Sequence, residues 1–359
     1  MSCTDIPGFY AQLQHQVTVA RTGKIPIAIQ GANSKQFYGR ECHGDIVDMR
    51  PCQGIIHYDP TELVVTAYAG TTIGELETNL ASQRQMLPFE PPCFGQETTL
   101  GGAVAAGLSG PRRPYTGSVR DFILGMKCLT GRGEILKFGG EVMKNVAGYD
   151  VSRLMTGAMG TLGILLEISL KVLPMPESEL ALSKTILPTE FIRFMNIWAG
   201  KSLPISGAAY DGQEIHIRLS GKRVAVEKTR AILDMKEDPA GLEYWRQLRD
   251  HQLNFFNLSQ GQNLWRLSVP PTSPPLVVNG EWLIDWGGAQ RWLKTAEPAT
   301  KIRQQSEAVS GNATLFRTTG GRDEVFHPLP ATIKRLHLQL KDAFDPDHIL
   351  NRGRMYTDF

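Results

Sequence analysis

The chain is poor in the residues that build metal and redox centres. Its 359 residues include five cysteines, Cys3, Cys42, Cys52, Cys93 and Cys128, an odd number with no C-x-x-C pair. That spacing argues against a disulfide framework and against an iron–sulfur or zinc site made from this chain's own thiols. The histidines are scattered: His216, His251, His327, His337 and His348 form no spaced ligand set. Neither sign of charge is in excess. The 38 Lys and Arg against 36 Asp and Glu leave a formal net charge of +2, without the basic footprint of a nucleic-acid-binding protein. Long apolar runs are missing too. The strongest, Gly160 to Leu173, contains Glu167 and Lys171 and falls short of the ~20 residues a membrane-spanning helix needs, so it reads as a buried strand. The opening residues have neither the basic start nor the apolar core of a signal peptide, and the expected location is cytoplasmic. Peripheral association with the inner face of the cytoplasmic membrane, through a partner, would leave no such mark.

Two nucleotide fingerprints are also missing. No G-x-G-x-x-G follows the first strand-like run, Ile25 to Ile29, which argues against the dinucleotide site of a doubly wound sheet. Gly200-Lys201-Ser202 resembles the end of a P-loop, but Met195 stands where its first glycine belongs.

What is present is an ordinary globular composition, 42% hydrophobic and 21% charged, with 36 glycines and 22 prolines. At roughly 150 residues per domain the length suggests two domains. The periodicities alternate between short strands and helices. Residues 5 to 21 and 72 to 84 have helical spacing, and 122 to 130 with 134 to 138 read as a hairpin around Gly131-Arg132-Gly133. A strand from Ile164 to Val172 ends at Pro174-Met175-Pro176, the expected domain boundary. Beyond it the order strand, helix, hairpin, helix suggests a split β-α-β sheet, followed by a Trp-rich region and a helix from Ala331 to Phe344.

Two loops of small residues could hold chemistry. The first is Gln30-Gly31-Ala32-Asn33-Ser34-Lys35. The second runs from Thr98 to Pro111 and includes Thr99, Leu100, Gly101, Gly102, Ala105, Gly107 and Gly110. Glycine and alanine put little bulk between backbone and ligand, so successive N–H groups can form an anion nest that fits a pyrophosphate. Tight turns account for the same residues.

A third segment tips the balance: Gly139-Gly140-Glu141-Val142-Met143-Lys144-Asn145-Val146-Ala147-Gly148-Tyr149-Asp150, then Gly160-Thr161-Leu162-Gly163-Ile164. In this order, over residues 25 to 174, the chain resembles the FAD-binding domain of the vanillyl-alcohol oxidase/p-cresol methylhydroxylase (PCMH) superfamily. Within it, the last two runs look like the glycolate oxidase and D-2-hydroxyacid dehydrogenase branch. Ser109-Gly110-Pro111-Arg112-Arg113 and Gly117-Ser118-Val119-Arg120-Asp121 are similar to that branch's FAD-binding glycolate oxidase subunits.

The resemblance implies an α+β fold: a two-lobed PCMH-type FAD-binding domain over 1–174, a smaller ferredoxin-like cap over 175–340, and a tail over 341–359 that returns to the FAD domain. It implies that Gln30 to Lys35 wrap the FAD pyrophosphate, that Thr99 to Gly110 line pyrophosphate and ring, and that Gly160, Thr161, Gly163 and Ile164 bracket the adenosine. Asn145, Gly148, Tyr149 and Asp150 join the cofactor set, the last two by orienting their loop. Relatives with covalent flavin attach it to a histidine near the first loop, and Gln36 to Tyr38 offer none, so non-covalent FAD is expected. The tail Asn351-Arg352-Gly353-Arg354 departs from the family pattern, which has proline at position 352.

Catalytic relatives carry a His-rich metal motif in the cap that this chain lacks, so no metal site is expected. His327, following Arg317 and Arg322, is the candidate substrate-side group, set against a loop histidine bonded only to backbone. Three readings remain open at the level of sequence. One is the FAD-binding subunit of a glycolate oxidase (glycolate dehydrogenase) complex, acting on a small 2-hydroxyacid with a catalytic flavoprotein subunit and an iron–sulfur subunit as partners. The second is a stand-alone FAD-dependent D-2-hydroxyacid (D-lactate) dehydrogenase. The third is a structural subunit with an empty flavin site. The short cap without a metal motif favours the first.

Overall fold

The structure is a computed structural model that describes residues 5–140 and 150–359. It divides into two compact units: one holds the chain up to Ser109, Ser118–Met175 and Pro328–Phe359, the other Gly110–Gly117 and Pro176–His327.

In the first unit, α1 (Ile6–Gly23) starts where the Asp5 carboxylate accepts the Gly8 N–H at 2.9 Å, and stops at Lys24 in left-handed geometry, φ 53°. Its buried stripe, Leu13, Val17 and Ala20, follows the i, i+4, i+7 rule. β1 (Ile27–Gln30) pairs in parallel with β2 (Asp45–Asp48). β3 (Ile55–Asp59) and β4 (Val64–Tyr68) then lead to α2 (Ile73–Ser82), capped by the Thr72 hydroxyl, and to the short β5 (Gln85–Met86). α3 (Leu100–Ala106) is capped by the Thr99 hydroxyl and closed by Gly107 at φ 65°. The next helix, α4 (Arg113–Thr116), belongs to the second unit; α5 (Val119–Phe122), β6 (Ile123–Leu129), β7 (Ile135–Gly139), α6 (Val151–Met155), β8 (Ile164–Lys171) and β9 (Leu173–Pro174) return to the first.

Strands β3, β4, β8, β6 and β7 form a five-stranded antiparallel sheet in that order. The central β8 is covered on both faces, which explains its near-continuous apolar run. Ile164 and Leu166 pack with α1, β1 and β2, while Leu165, Ile168 and Leu170 pack with α2 and α3. Each such side chain contributes about 1.5–3 kcal/mol by leaving water.

In the second unit, β10 (Ser178–Thr185), α7 (Pro188–Ala199), β11 (Ile205–Tyr210), β12 (Glu214–Gly221), α8 (Arg223–Leu233) and β13 (Lys236–Glu237) follow one another, then α9 (Gly241–Arg249). The sheet does not stop there. β14 (Asn263–Ser268), β15 (Glu281–Asp285), β16 (Gln290–Thr295), α10 (Ala299–Glu307) and β17 (Asn312–Thr318) extend it to eight strands in the order β13-β10-β12-β11-β15-β16-β14-β17. Three tryptophans of the Trp-rich region, Trp265, Trp282 and Trp292, thus stand on strands of this sheet. One sheet face is apolar, with Ile215, Ile217 and Leu219 under α7 and α8. Alternation places His216, Arg218 and Ser220 on the opposite face, where Arg218 lies 5.2 Å from the Trp245 ring centroid of α9.

The last helix, α11 (Ala331–Phe344), corrects the expected segmentation. The second unit ends at His327, so α11 joins the first unit instead of the cap: Leu340 and Phe344 pack into its core, and the Gly131 N–H donates to the Phe344 carbonyl at 3.0 Å.

Candidate functional site

The first unit contains a cleft of about 1020 Å³, its open mouth included. One wall is the loop leaving β1: Gln30, Gly31, Ala32, Asn33, Ser34 and Lys35. Opposite stand Thr99, Gly101, Gly102 and Ala105 of the α3 start, and Gly160 and Gly163 ahead of β8. Gly31 is required by close approach: a Cβ there would collide with Thr99 Oγ1. At Gly101 an added Cβ would lie 2.8 Å from Ala69 Cβ and 2.9 Å from its carbonyl oxygen, so that glycine serves helix-to-strand packing as much as the cleft.

The electrostatics favour an anion. The N–H groups of Gly31, Ala32, Asn33 and Ser34 donate to no acceptor among the described residues. Asn33 adopts φ 59°, a left-handed kink within this run. Consecutive free amides of this kind form an anion-binding concavity. Lys35 supplies positive charge, and no Asp or Glu is among the described lining residues. The α3 start contributes less than its sequence suggests. Its first amides are already used: Leu100 N donates to Thr71 O, Gly101 N to Ala69 O and Gly102 N to Thr99 Oγ1. These observations fit the expected FAD, with the β1 loop as its pyrophosphate cradle and the backbone at Gly102 and Ala105 giving room.

The cleft is held together from the C-terminus. Asn351 accepts the Ile29 N–H at 2.8 Å and donates to the Met159 carbonyl at 2.7 Å, bridging both walls. Behind it, Lys341 and Asp345 form an ion pair at 2.7 Å with both side chains fully buried. The Lys341 ammonium also donates to the Thr161 and Leu350 carbonyls, and the Asp345 carboxylate accepts the Ile349 and Leu350 N–H groups. Burial pulls the Lys341 pKa down, and the Asp345 charge opposes this. Cys42 also lines the cleft; burial pushes its thiol up, while the Arg354 and Lys341 cations act in the other direction.

Other expected site residues lie elsewhere. Thr98, Leu100, Thr161 and Ile164 are almost fully buried and do not line the cleft. Thr98 supports the loop indirectly, its hydroxyl 3.1 Å from Ser34 Oγ. Gly107 serves the end of α3. Gly110 falls in the second unit, where its carbonyl accepts the Trp286 indole N–H at 3.0 Å. The neighbouring motif residues also serve that unit: Arg112 pairs with Glu179 at 2.6 Å, and Arg113 lies over the Trp286 ring at 4.3 Å. Asp150 is exposed and caps α6 through the Arg153 N–H. Asn145, Gly148 and Tyr149 lie outside the described residues.

The catalytic candidates are not brought together. His327 Nδ1 accepts the Ala313 N–H at 3.4 Å, and Nε2 lies 3.2 Å from Glu307. Arg317 sits four residues further along β17, roughly 13 Å of extended strand, and Arg322 lies on the loop beyond. The Arg317 cation instead acts on His251, which the sequence shows only as one of several scattered histidines. His251 is stacked on Phe256 at 3.9 Å between ring centroids, beside Trp292 and Phe316. Burial, reinforced by the Arg317 and Arg266 cations, holds its pKa well below the usual histidine range.

Comparison with known proteins bears on the family and the fold. Residues 2–139 match the FAD binding domain family. The glycolate oxidase subunit GlcE of Escherichia coli (strain K12) is 49% identical over 350 residues, 97% of this chain and 98% of that protein. A D-lactate dehydrogenase of Anaerostipes hadrus is 33% identical over 177 residues, 48% of this chain and 36% of the other. The solved structure of p-cresol methylhydroxylase with substrate bound superposes with a TM-score of 0.71 at 15% identity, covering 97% of this chain and 87% of that one; at that identity the likeness shows the fold. Full-length similarity at this level settles the family: the chain belongs with the glycolate oxidase subunit GlcE, among the FAD-dependent oxidoreductases of PCMH-type fold.

Proposed function

We propose that the chain is the FAD-binding subunit of a glycolate oxidase, working with a catalytic flavoprotein subunit and an iron–sulfur subunit to oxidise glycolate or a related 2-hydroxyacid to the 2-oxoacid. The observation that carries the reading is the 49% identity to a glycolate oxidase subunit over nearly the whole of both chains. The cleft supports the cofactor. Gly31 to Ser34 would hold the pyrophosphate through backbone N–H groups, Lys35 would add charge, and Gly102, Ala105, Gly160 and Gly163 would leave space for the flat rings. FAD, when bound, supplies a two-electron acceptor. This chain's own residues bind and orient it.

Oxidising a 2-hydroxyacid also needs a base for the hydroxyl proton and a cation for the carboxylate. Among the described residues no group of His, Cys, Asp and Glu is placed to hold a metal. His327, Arg317 and Arg322 are dispersed, so we assign the substrate chemistry to the partner subunit. No described helix is long and apolar enough to cross a membrane, and we place the chain in the cytoplasm, reaching any membrane acceptor through its partners.

The test is an absorbance spectrum of the purified chain before and after acid precipitation, followed by anaerobic addition of glycolate and of D-lactate. Acid-released flavin that neither substrate bleaches until the partner subunits are added is the expected result. Bleaching by the chain alone would replace the proposal with an autonomous dehydrogenase, and failure to take up FAD would leave a structural subunit.

A further inference from the structure

We infer that Arg354 is a positioning residue for the anion-binding loop, acting through the loop's backbone and not on the ligand; the inference rests on the reading of the cleft as the FAD site. Arg354 sits at the cleft edge, but its donors are aimed at the chain. Nη1 donates to the Arg40 carbonyl at 2.8 Å, and Nη2 to the Tyr38 carbonyl at 2.6 Å, the Lys35 carbonyl at 3.2 Å and the Gln36 carbonyl at 3.4 Å. The contact is reciprocal: Arg40 N donates to the Arg354 carbonyl at 2.9 Å, and Arg40 Nε to the Gly353 carbonyl at 3.0 Å.

One planar guanidinium therefore gathers four carbonyl oxygens from residues 35–40. A loop with four of its six carbonyls turned toward one cation is fixed in its peptide orientations, and the preceding amides, Gly31 to Ser34, are left without acceptors among the described residues. Carbonyls that lost this partner would be free to rotate toward the cleft, where their negative ends repel phosphate. The geometry calls for arginine in particular. A lysine keeps the charge but has a single nitrogen and no planar fork with which to reach four acceptors.

The test uses the full chain freed of flavin, with ADP as a probe that carries the pyrophosphate without the isoalloxazine, and FAD in parallel. Binding is measured by titration calorimetry for the wild type, Arg354→Lys and Arg354→Met. ADP affinity is expected to fall by about tenfold or more, ~1.4 kcal/mol, and by similar factors in both variants. Amide exchange should quicken over residues 31–40, with little change elsewhere. Wild-type affinity in Arg354→Lys would overturn the inference by reducing the residue to a charge, and wild-type affinity in both variants would overturn it altogether. If neither variant folds, the guanidinium belongs to the stability of the whole unit and the inference also fails. A wild-type chain that binds neither ADP nor FAD would instead remove the cofactor reading itself.

Discussion

The two units build their polar surfaces from different materials. In the first, the cleft is made of backbone: amides at 31–34, small residues at 99–105, glycines at 160 and 163, and few charged side chains. In the second, the polar sheet face is made of side chains, with Arg218 against Trp245 and His251 wedged among Phe256, Trp292 and Phe316. A backbone site demands absence of bulk, which a sequence displays as glycine and alanine at fixed places. A side-chain site demands only that residues far apart in the chain share a face, which a sequence does not display.

Four substitutions sharpen that contrast. The largest effect is expected at the fully buried ion pair of the first unit. Lys341→Met leaves Asp345 buried and unpaired, and should destabilise the unit by about 3–5 kcal/mol in urea unfolding. Adding Asp345→Leu should recover part of the loss, and a Lys341→Met chain of wild-type stability would contradict the assignment. Next comes Gly31→Val, which adds no charge and removes no hydrogen bond but collides with Thr99. Flavin that copurifies with the wild type should be absent. Retained flavin would mean that the cleft is not where FAD sits.

In the second unit the contrast predicts a pH effect and no loss of cofactor. His251 has a folded pKa well below 6.5, so below that pH the unfolded chain binds the extra proton. The contribution is fully present above about pH 6.5 and is lost as pH falls. Melting curves between pH 7.5 and 5.5 should therefore slope less steeply for His251→Phe than for the wild type; parallel slopes would refute the burial argument. The smallest effect is expected for His327→Ala, whose long contact to Ala313 and exposed Glu307 partner are worth within ~0.5 kcal/mol. A large fall in glycolate turnover by the assembled enzyme would restore His327 as a substrate group.

How much of this was legible follows the same division. The loop 30–35 could be read because small residues follow a strand without interruption. Thr161 and Ile164 were drawn into the site by adjacency to Gly160 and Gly163, yet the Thr161 hydroxyl donates back to the Ala158 carbonyl and Ile164 packs with Leu166 against α1. Ile29, Met49, Ala69 and Leu165 line the cleft but look like any buried strand residue. Lys341 reads as a surface lysine on an amphipathic helix, and only the fold reveals that Asp345, Thr161 and Leu350 surround its ammonium. Arg354 was visible as part of a tail motif. Its partners, more than three hundred positions earlier, were not.

The bridge made by Asn351 has a consequence for biosynthesis. Ile29, Met159 and Asn351 come together from widely separated parts of the polypeptide, so the cavity cannot be completed while Asn351 is still inside the ribosome. Domains commonly fold as they emerge, N-terminal first. This one must wait for Asn351 to emerge, and before then the two walls of its nucleotide site are not joined.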